Sequence, residues 1–346
     1  MVKPFADVTT RTQVARLRAL ASKALPEWGL ADASLRLLNH GYNTTFRVDA
    51  IDGRRFALRV NTQPHKTAAH LQGEVAWLEA LSRETDLCVP TPQRTHTGAL
   101  SAQVESPDHS RRLPVVLFSW LDGRNLGTHW SREQARAAGA LMATLHDHAE
   151  RWKMPTGAAF SDFRSVLTDL PNRLGDHPAL DAASSVVLER ARARAQALQD
   201  EVFVANPSMP LHADLHGGNL KWQHDGVSTS TAPSALRVFD FDDAGYGPPG
   251  LDLAITAYYL RDASDTEAAL RDGYASVRAL PAVTDEQFEG MVAGRNLLLV
   301  NDVIEQPNAD LRAIVPRYVA NSVLRLRNWL ETGQYRRDVP GLAAAQ

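Results

Sequence analysis

The chain has 346 residues, 44% hydrophobic and 22% charged, with a formal net charge of −3 at pH 7. That length allows two lobes with separate cores, and the near-balanced charge without a basic run argues against a nucleic-acid partner. A single cysteine, Cys88, excludes an internal disulfide; the absence of an 18-residue apolar run and of an apolar segment in residues 1–30 predicts a cytoplasmic protein without a membrane span.

Val14, Leu17, Leu20, Ala21 and Leu25 form a helical stripe over Thr10–Leu25. Three strands are predicted next, Leu35–Asn39, Thr44–Ile51 and Arg55–Asn61, the last two joined across the hairpin signal Asp52-Gly53. A helix over His70–Arg83 gathers Leu71, Val75, Leu78 and Leu81 on one side. Strands are predicted near Gln93–Thr97 and Pro114–Phe118, with the polar Gly98–Arg112 as a loop between them. After Gly127 the pattern turns helical: Ser131 with Gln134 is a capping box, followed by Ala135, Ala138, Met142, Leu145 and Ala149 on a buried face. His146 and His148 on that helix read as packing or surface residues. Residues 160–200 are predicted helical with breaks at Pro171 and Pro178, and the polar run 223–236 is an excursion in a hairpin. Helices over Leu251–Leu260, 265–280, 285–306 and 309–333 complete the chain.

Two clusters about twenty residues apart carry the chemistry. The first is Leu211-His212-Ala213-Asp214-Leu215-His216-Gly217-Gly218-Asn219; the second is Val238-Phe239-Asp240-Phe241-Asp242-Asp243-Ala244-Gly245. Asp214, Asn219 and Asp240 are the oxygen donors that a hard cation such as Mg²⁺ asks for. Asp214, Asp240, Asp242 and Asp243 together would repel each other and any phosphate unless a divalent cation lay between them. His212 and His216 have the spacing of two zinc ligands on a helix, but Pro210 before them and Gly217-Gly218 after them speak against one. His212 reads better as a buried histidine bonded to backbone, and His216 as a loop residue.

The pattern His-x-Asp-x-x-x-x-Asn at 212–219, with Asp240 after an apolar run and Gly-Pro-Pro-Gly-Leu-Asp-Leu-Ala at 247–254, resembles the aminoglycoside phosphotransferase-like kinases. That superfamily includes choline kinases, type II homoserine kinases and a stress-response Ser/Thr kinase. The resemblance implies that Asp214 orients the acceptor hydroxyl and takes its proton, while Asn219 and Asp240 hold Mg²⁺ on the ATP phosphates. It implies further that the turn at His40–Thr45 covers those phosphates through backbone N–H groups and Asn43, Thr44 or Thr45; with one glycine, a plain hairpin turn remains the alternative. Arg59 stands where protein kinases carry a phosphate-binding lysine, and Glu74 is its candidate partner. Phe118–Gly123 resembles the hinge, where the backbone of Ser119 and Leu121 would bond adenine. Asp252 either caps its helix or anchors the catalytic loop by accepting backbone N–H groups, and the two are compatible.

The resemblance implies an α+β, bilobal protein-kinase-like fold: a small antiparallel-sheet lobe with one helix over residues 1–117, a hinge over 118–125, and a larger, mainly helical lobe over 126–346. The expected function is ATP- and Mg²⁺-dependent phosphoryl transfer to a hydroxyl acceptor, a small amino alcohol or related metabolite. The alternatives are a protein Ser/Thr kinase and a nucleotide-binding module without turnover. Alternation along an extended chain sets Asp242 on the side of Asp240. There it either adds negative charge near a cationic acceptor or serves the metal, with Asp243 capping the turn. Asn296, Asn301 and Asp302 are candidates for the acceptor wall, with a solvated helix face as the alternative.

Overall fold

The computed structural model describes residues 3–63, 65–175, 177–178, 180–223, 236–304 and 309–343. The predicted excursion at 223–236 lies, apart from its two end residues, outside them.

Helix α1 (Thr10–Ala24) begins at Thr9, whose hydroxyl accepts from the amide of Thr12. The meander β1 (Ser34–His40), β2 (Thr44–Asp49) and β3 (Arg55–Val60) leads to α2 (Ala68–Glu84). Then come β4 (Pro92–Gln93), β5 (Ala102–Ser106) and β6 (Arg111–Ser119). The sheet is antiparallel in the order β1-β2-β3-β6-β4, with β5 also on β6.

Side chains alternate across this sheet. Phe56, Leu58 and Val60 of β3 and Leu113, Val115 and Leu117 of β6 meet Val14, Leu17 and Ala21 of α1 in one core. The intervening Val116 and Phe118 point to the other face and pack with Leu71, Val75, Leu78 and Leu81 of α2 in a second, larger core. Arg59 lies opposite Val116 in register and shares that second face. The period of two therefore aims Arg59 at α2 and Leu58 away from it.

Strand β5 runs through the segment expected as a loop. Ala102 and Val104 alternate with polar residues and pair with Val115 and Leu113, and burial of Ala102 against α1 outweighs the polar composition.

Beyond the sheet come β7 (Arg124–Asn125), α3 (Arg132–Ala149), β8 (Ser161–Asp162) and α4 (Ala182–Ala205). They are followed by β9 (Met209–Leu211), β10 (Leu220–Trp222), β11 (Leu236–Val238) and β12 (Gly245–Gly247), and then by α5 (Pro249–Leu260), α6 (Ser264–Ala275), α7 (Asp285–Val303) and α8 (Ala309–Thr332). Between Phe160 and Leu180 the expected helix is absent from the described residues. Ser161 and Asp162 pair instead with Gly245 and Tyr246, and Thr168 has φ 55°, so strand pairing and a left-handed turn claim that backbone. Helices α3 and α6 cross backbone to backbone: a Cβ on Gly139 would lie 1.9 Å from Leu270 O, and one on Gly273 1.9 Å from Arg136 O. Among the described residues no helix is long and apolar enough to cross a membrane.

Candidate active site

Two three-stranded sheets, β11-β10-β7 and β8-β12-β9, support the two clusters. Residues 212–219 link β9 to β10, and residues 239–244 link β11 to β12. Both loops open into a cleft of about 710 Å³ lined by Arg59, Phe118, Asp214, Asn219, Asp240 and Arg295.

The first loop is fixed from beneath. Asp252, fully buried, accepts from the backbone amides of His212 at 3.1 Å and Ala213 at 2.7 Å. Its Oδ2 also lies 3.1 Å from Nε2 of His146. Helix α5 has no side-chain cap, so Asp252 serves the loop and not the helix end. His212 is buried, its Nε2 3.1 Å from Phe239 O and its Nδ1 accepting from the amide of Asp214 at 3.3 Å. It ties the two loops together, a structural role. Gly217 presses on Gly127, whose carbonyl would lie 1.8 Å from an added Cβ, so no larger residue fits that contact.

Ala213 has φ 63° and Asp240 φ 68°, a left-handed conformation that costs a residue with a Cβ about 1–2 kcal/mol. Each loop thus holds one such bend, at Asp240 itself and just before Asp214. The Asp214 carboxylate accepts from Nδ2 of Asn219 at 2.9 Å, and the same Nδ2 donates to Asp214 O at 3.0 Å. That commits the amide nitrogen to Asp214 and leaves Oδ1 as the Asn219 acceptor. Arg295 of α7 donates to the other carboxylate oxygen of Asp214 and to the hydroxyl of Tyr259 at 2.7 Å. Burial pushes the Asp214 carboxyl up, but the Arg295 guanidinium, with His216 and His212, overrides it and brings the pKa to about 2.

The opposite holds in the second loop. Burial raises the Asp240 carboxyl, Arg59 opposes, and the charges of Asp214, Asp243 and Glu74 raise it further. Asp242 is raised well above the usual carboxylate range by burial and by Asp240 and Asp243. Carboxylates that crowd in this way suit a divalent cation. No group of three or more His, Cys, Asp and Glu side chains among the described residues forms a metal site by itself. The donor set fits Mg²⁺ nonetheless, since this ion usually takes one or two carboxylates and completes its shell with water and substrate phosphates.

Arg59 grips Glu74 with both ends, at 2.9 and 2.5 Å, and donates from Nε to Asn61 at 2.7 Å. Its Nη1 lies 3.6 Å from Asp240 and 4.0 Å from Asp242. The expected Arg59–Glu74 pair is therefore in contact and borders the second loop. Asn43 accepts from the amide of Thr62 at 3.1 Å and donates to Asp242 at 2.6 Å. Thr44 does not face the cleft: it is fully buried, 2.7 Å from Nδ1 of His40, and alternation along β2 gives the cleft to Thr45. Ser119 and Leu121 line the cleft. The Ser119 hydroxyl accepts from the amide of Thr91 at 2.8 Å, and Leu121 O accepts from Lys221 Nζ at 2.7 Å.

Asp242 does not line the cleft. The left-handed bend at Asp240 breaks the extended alternation, so Asp242 turns to Asn43 and Arg59 while Asp243 lines the cleft, 3.3 Å from Lys66. On α7, Asn296 and Asn301 are buried and structural. Asn296 donates to Ser322 at 3.0 Å; Asn301 accepts from the amide of Arg173 at 2.7 Å. Asp302 does line the cleft and takes a hydrogen bond from Tyr42 of the β1–β2 turn. Arg295, Lys66, Tyr42 and Lys221 carry no motif. The one trace of Arg295 in the sequence is that it stands seven residues, two turns, before Asp302 on the same helix.

A meander sheet, a short connector and two acidic loops on a helical base define a bilobal kinase-like architecture. The family model of the phosphotransferase enzyme family, APH, matches residues 34–284, and the chain belongs to that family. An uncharacterized protein of Deinococcus radiodurans is 31% identical over 243 residues, 68% of this chain. The match spans 65% of that relative's own length. Among solved structures, a microcompartment-associated aminopropanol kinase is 26% identical with a TM-score of 0.76, over 93% of this chain and 100% of that one. The amicoumacin kinase hAmiN, in complex with AMP-PNP, Ca²⁺ and Ami, shares the fold at 17% identity and TM-score 0.70, over 91% and 96% of the two chains.

Proposed function

We propose that this chain is an ATP-dependent phosphotransferase moving the γ-phosphoryl group to the hydroxyl of a small amino alcohol or related metabolite, with Mg²⁺ as its divalent ion. The observation that carries this reading is the convergence of Asp214, Asn219 and Asp240 on one cleft, beside the Arg59–Glu74 pair. Phosphoryl transfer of this kind asks for alignment and charge neutralisation more than for covalent chemistry.

Asp214, ionised at neutral pH, accepts the acceptor's O–H and aligns its oxygen on the phosphorus. With so low a pKa it is a weak base, and it takes the proton late in the transfer. Arg295 and Asn219 each hold one of its carboxylate oxygens, which fixes the orientation of the group. Arg59, braced by Glu74 and Asn61, presents a guanidinium to the phosphate oxygens. Asn219 Oδ1 and Asp240 would hold Mg²⁺, which when bound neutralises phosphate charge. Ser119 and Leu121 would bond the base through their backbone. A cationic acceptor is supported by Asp169, Asp243 and Asp302 along the cleft wall and by the likeness to the aminopropanol kinase.

The test is consumption of ATP by the purified protein with Mg²⁺, against amino alcohols, neutral sugars, aminoglycosides and a generic protein substrate. Turnover with an amino alcohol, and product phosphorylated on oxygen, is the expected result. Turnover only with the protein substrate would move the reading to a protein kinase, and binding of ATP without turnover to a nucleotide-binding module.

A further inference from the structure

We propose that Lys66 is a further catalytic residue, whose ammonium holds the γ-phosphoryl group of the nucleotide as that group passes to the acceptor. This rests on the phosphotransferase reading above.

Lys66 stands between β3 and α2, one residue before Thr67, whose hydroxyl caps α2 by accepting from the amide of His70. The cap fixes the backbone beside Lys66, and the side chain lines the cleft with only 12% of it exposed. Its Nζ lies 3.3 Å from a carboxylate oxygen of Asp243, a side chain that is 44% exposed. The charge of Asp243 is felt by Asp240 on one side and by Arg295, which holds Asp214, on the other. The Lys66 ammonium therefore stands between the carboxylate assigned to the metal and the one assigned to the acceptor hydroxyl. A phosphoryl group in transit has to cross that interval.

Two other cations of the cleft are largely engaged. Arg59 gives three of its five N–H donors to Glu74 and Asn61, and its Nη1 turns toward Asp240 at 3.6 Å. Arg295 holds Asp214 and the Tyr259 hydroxyl. Lys66 differs from both, because an ammonium has three N–H donors and its partner carboxylate is half open to the cleft. Donors remain for a phosphate oxygen. In the transfer, the acceptor oxygen bonds to phosphorus, the bond from phosphorus to the bridging oxygen of ADP breaks, and the acceptor proton passes to Asp214. Negative charge meanwhile spreads over the three equatorial oxygens, and a cation already in place stabilises it without reorganisation.

The experiment compares calorimetric affinities for the Mg²⁺ complexes of ATP and ADP, without acceptor, in the wild type, Lys66→Met and Lys66→Arg. Folding of each variant is checked by its thermal midpoint. ADP lacks the γ-phosphoryl group, so the ratio of the two affinities isolates contacts to it. Lys66→Met should lower the affinity for ATP by roughly tenfold, the size of a lost hydrogen bond to a charged group, and leave that for ADP within about twofold. Lys66→Arg keeps the charge and should keep most of the ratio. In the Asp243→Asn background, Lys66→Met should lower the ratio by a similar factor. With the acceptor found by the screen above, Lys66→Met should also lower kcat by roughly 10²–10³-fold. An unchanged ratio or a wild-type kcat in Lys66→Met, or no fall of the ratio in the Asp243→Asn background, would make Lys66 the counter-ion of Asp243 only and overturn the proposal. A wild type that binds neither nucleotide would overturn the phosphotransferase reading, and this one with it.

Discussion

Arg59 and Glu74 meet through both guanidinium ends, at 2.9 and 2.5 Å, and each side chain is only 5% exposed. Breaking a buried pair by removing one partner is costly, about 3–5 kcal/mol, because the other charge stays buried. Arg59→Ala and Glu74→Ala should each lower the free energy of unfolding by an amount of that order. The double variant should lose less than their sum, with a coupling of about 0.5–3 kcal/mol. Nucleotide affinity should fall more for Arg59→Ala than for Glu74→Ala. Additive losses in urea unfolding would mean that the two charges do not meet in solution.

Asp214 and Arg295 separate catalysis from binding. Asp214→Asn should lower kcat by roughly 10²–10⁴-fold, the range for a positioned proton acceptor, with nucleotide affinity little changed. Arg295→Met should also act on kcat, through the orientation of Asp214, and Arg295→Lys should recover part of the loss. Wild-type turnover in Asp214→Asn would show that another group serves the acceptor hydroxyl.

Metal removal tests the second loop. The crowding of Asp240, Asp242 and Asp243 predicts that ATP binds tightly only with Mg²⁺ or Mn²⁺ present. Asp240→Ala should erase most of the difference between affinities measured with Mg²⁺ and with EDTA. Equal wild-type affinity in the two buffers, read by titration calorimetry, would rule out the metal assignment.

Asp252 anchors the first loop through the amides of His212 and Ala213. Asp252→Ala orphans two buried donors at about 1–3 kcal/mol each, so unfolding free energy should fall by about 2–6 kcal/mol. Because Ala213 would lose the bond that holds its left-handed backbone, kcat should fall as well. A variant of wild-type stability and activity would show that the loop keeps its shape without this anchor.

Local chemistry was enough for much of this. Alternation placed the strands around Phe46, Leu58 and Leu117, and the two loops could be recognised because Asp214, Asn219 and Asp240 sit at fixed short spacings next to β-strands. The pairing of Arg59 with Glu74 came from the resemblance, which set Arg59 at the place of a kinase lysine, and the two side chains are in contact. The limits appeared where distant segments compete for the same backbone or space. Ser161 and Asp162 joined β12 instead of a helix, and β5 formed because β6 offered it a partner.

At the site, the amino-acid sequence by itself determined which oxygen donors the loops carry, and the tertiary structure decided where they point. The left-handed turn at Asp240 exchanged the places of Asp242 and Asp243, a backbone choice that no side-chain periodicity encodes. Arg295 reaches Asp214 from 81 residues away, and Lys221 reaches Leu121 across 100. Such contacts depend on how helices and sheets pack as whole bodies, and packing is set by the summed burial of many side chains rather than by any stretch of sequence near the charges themselves.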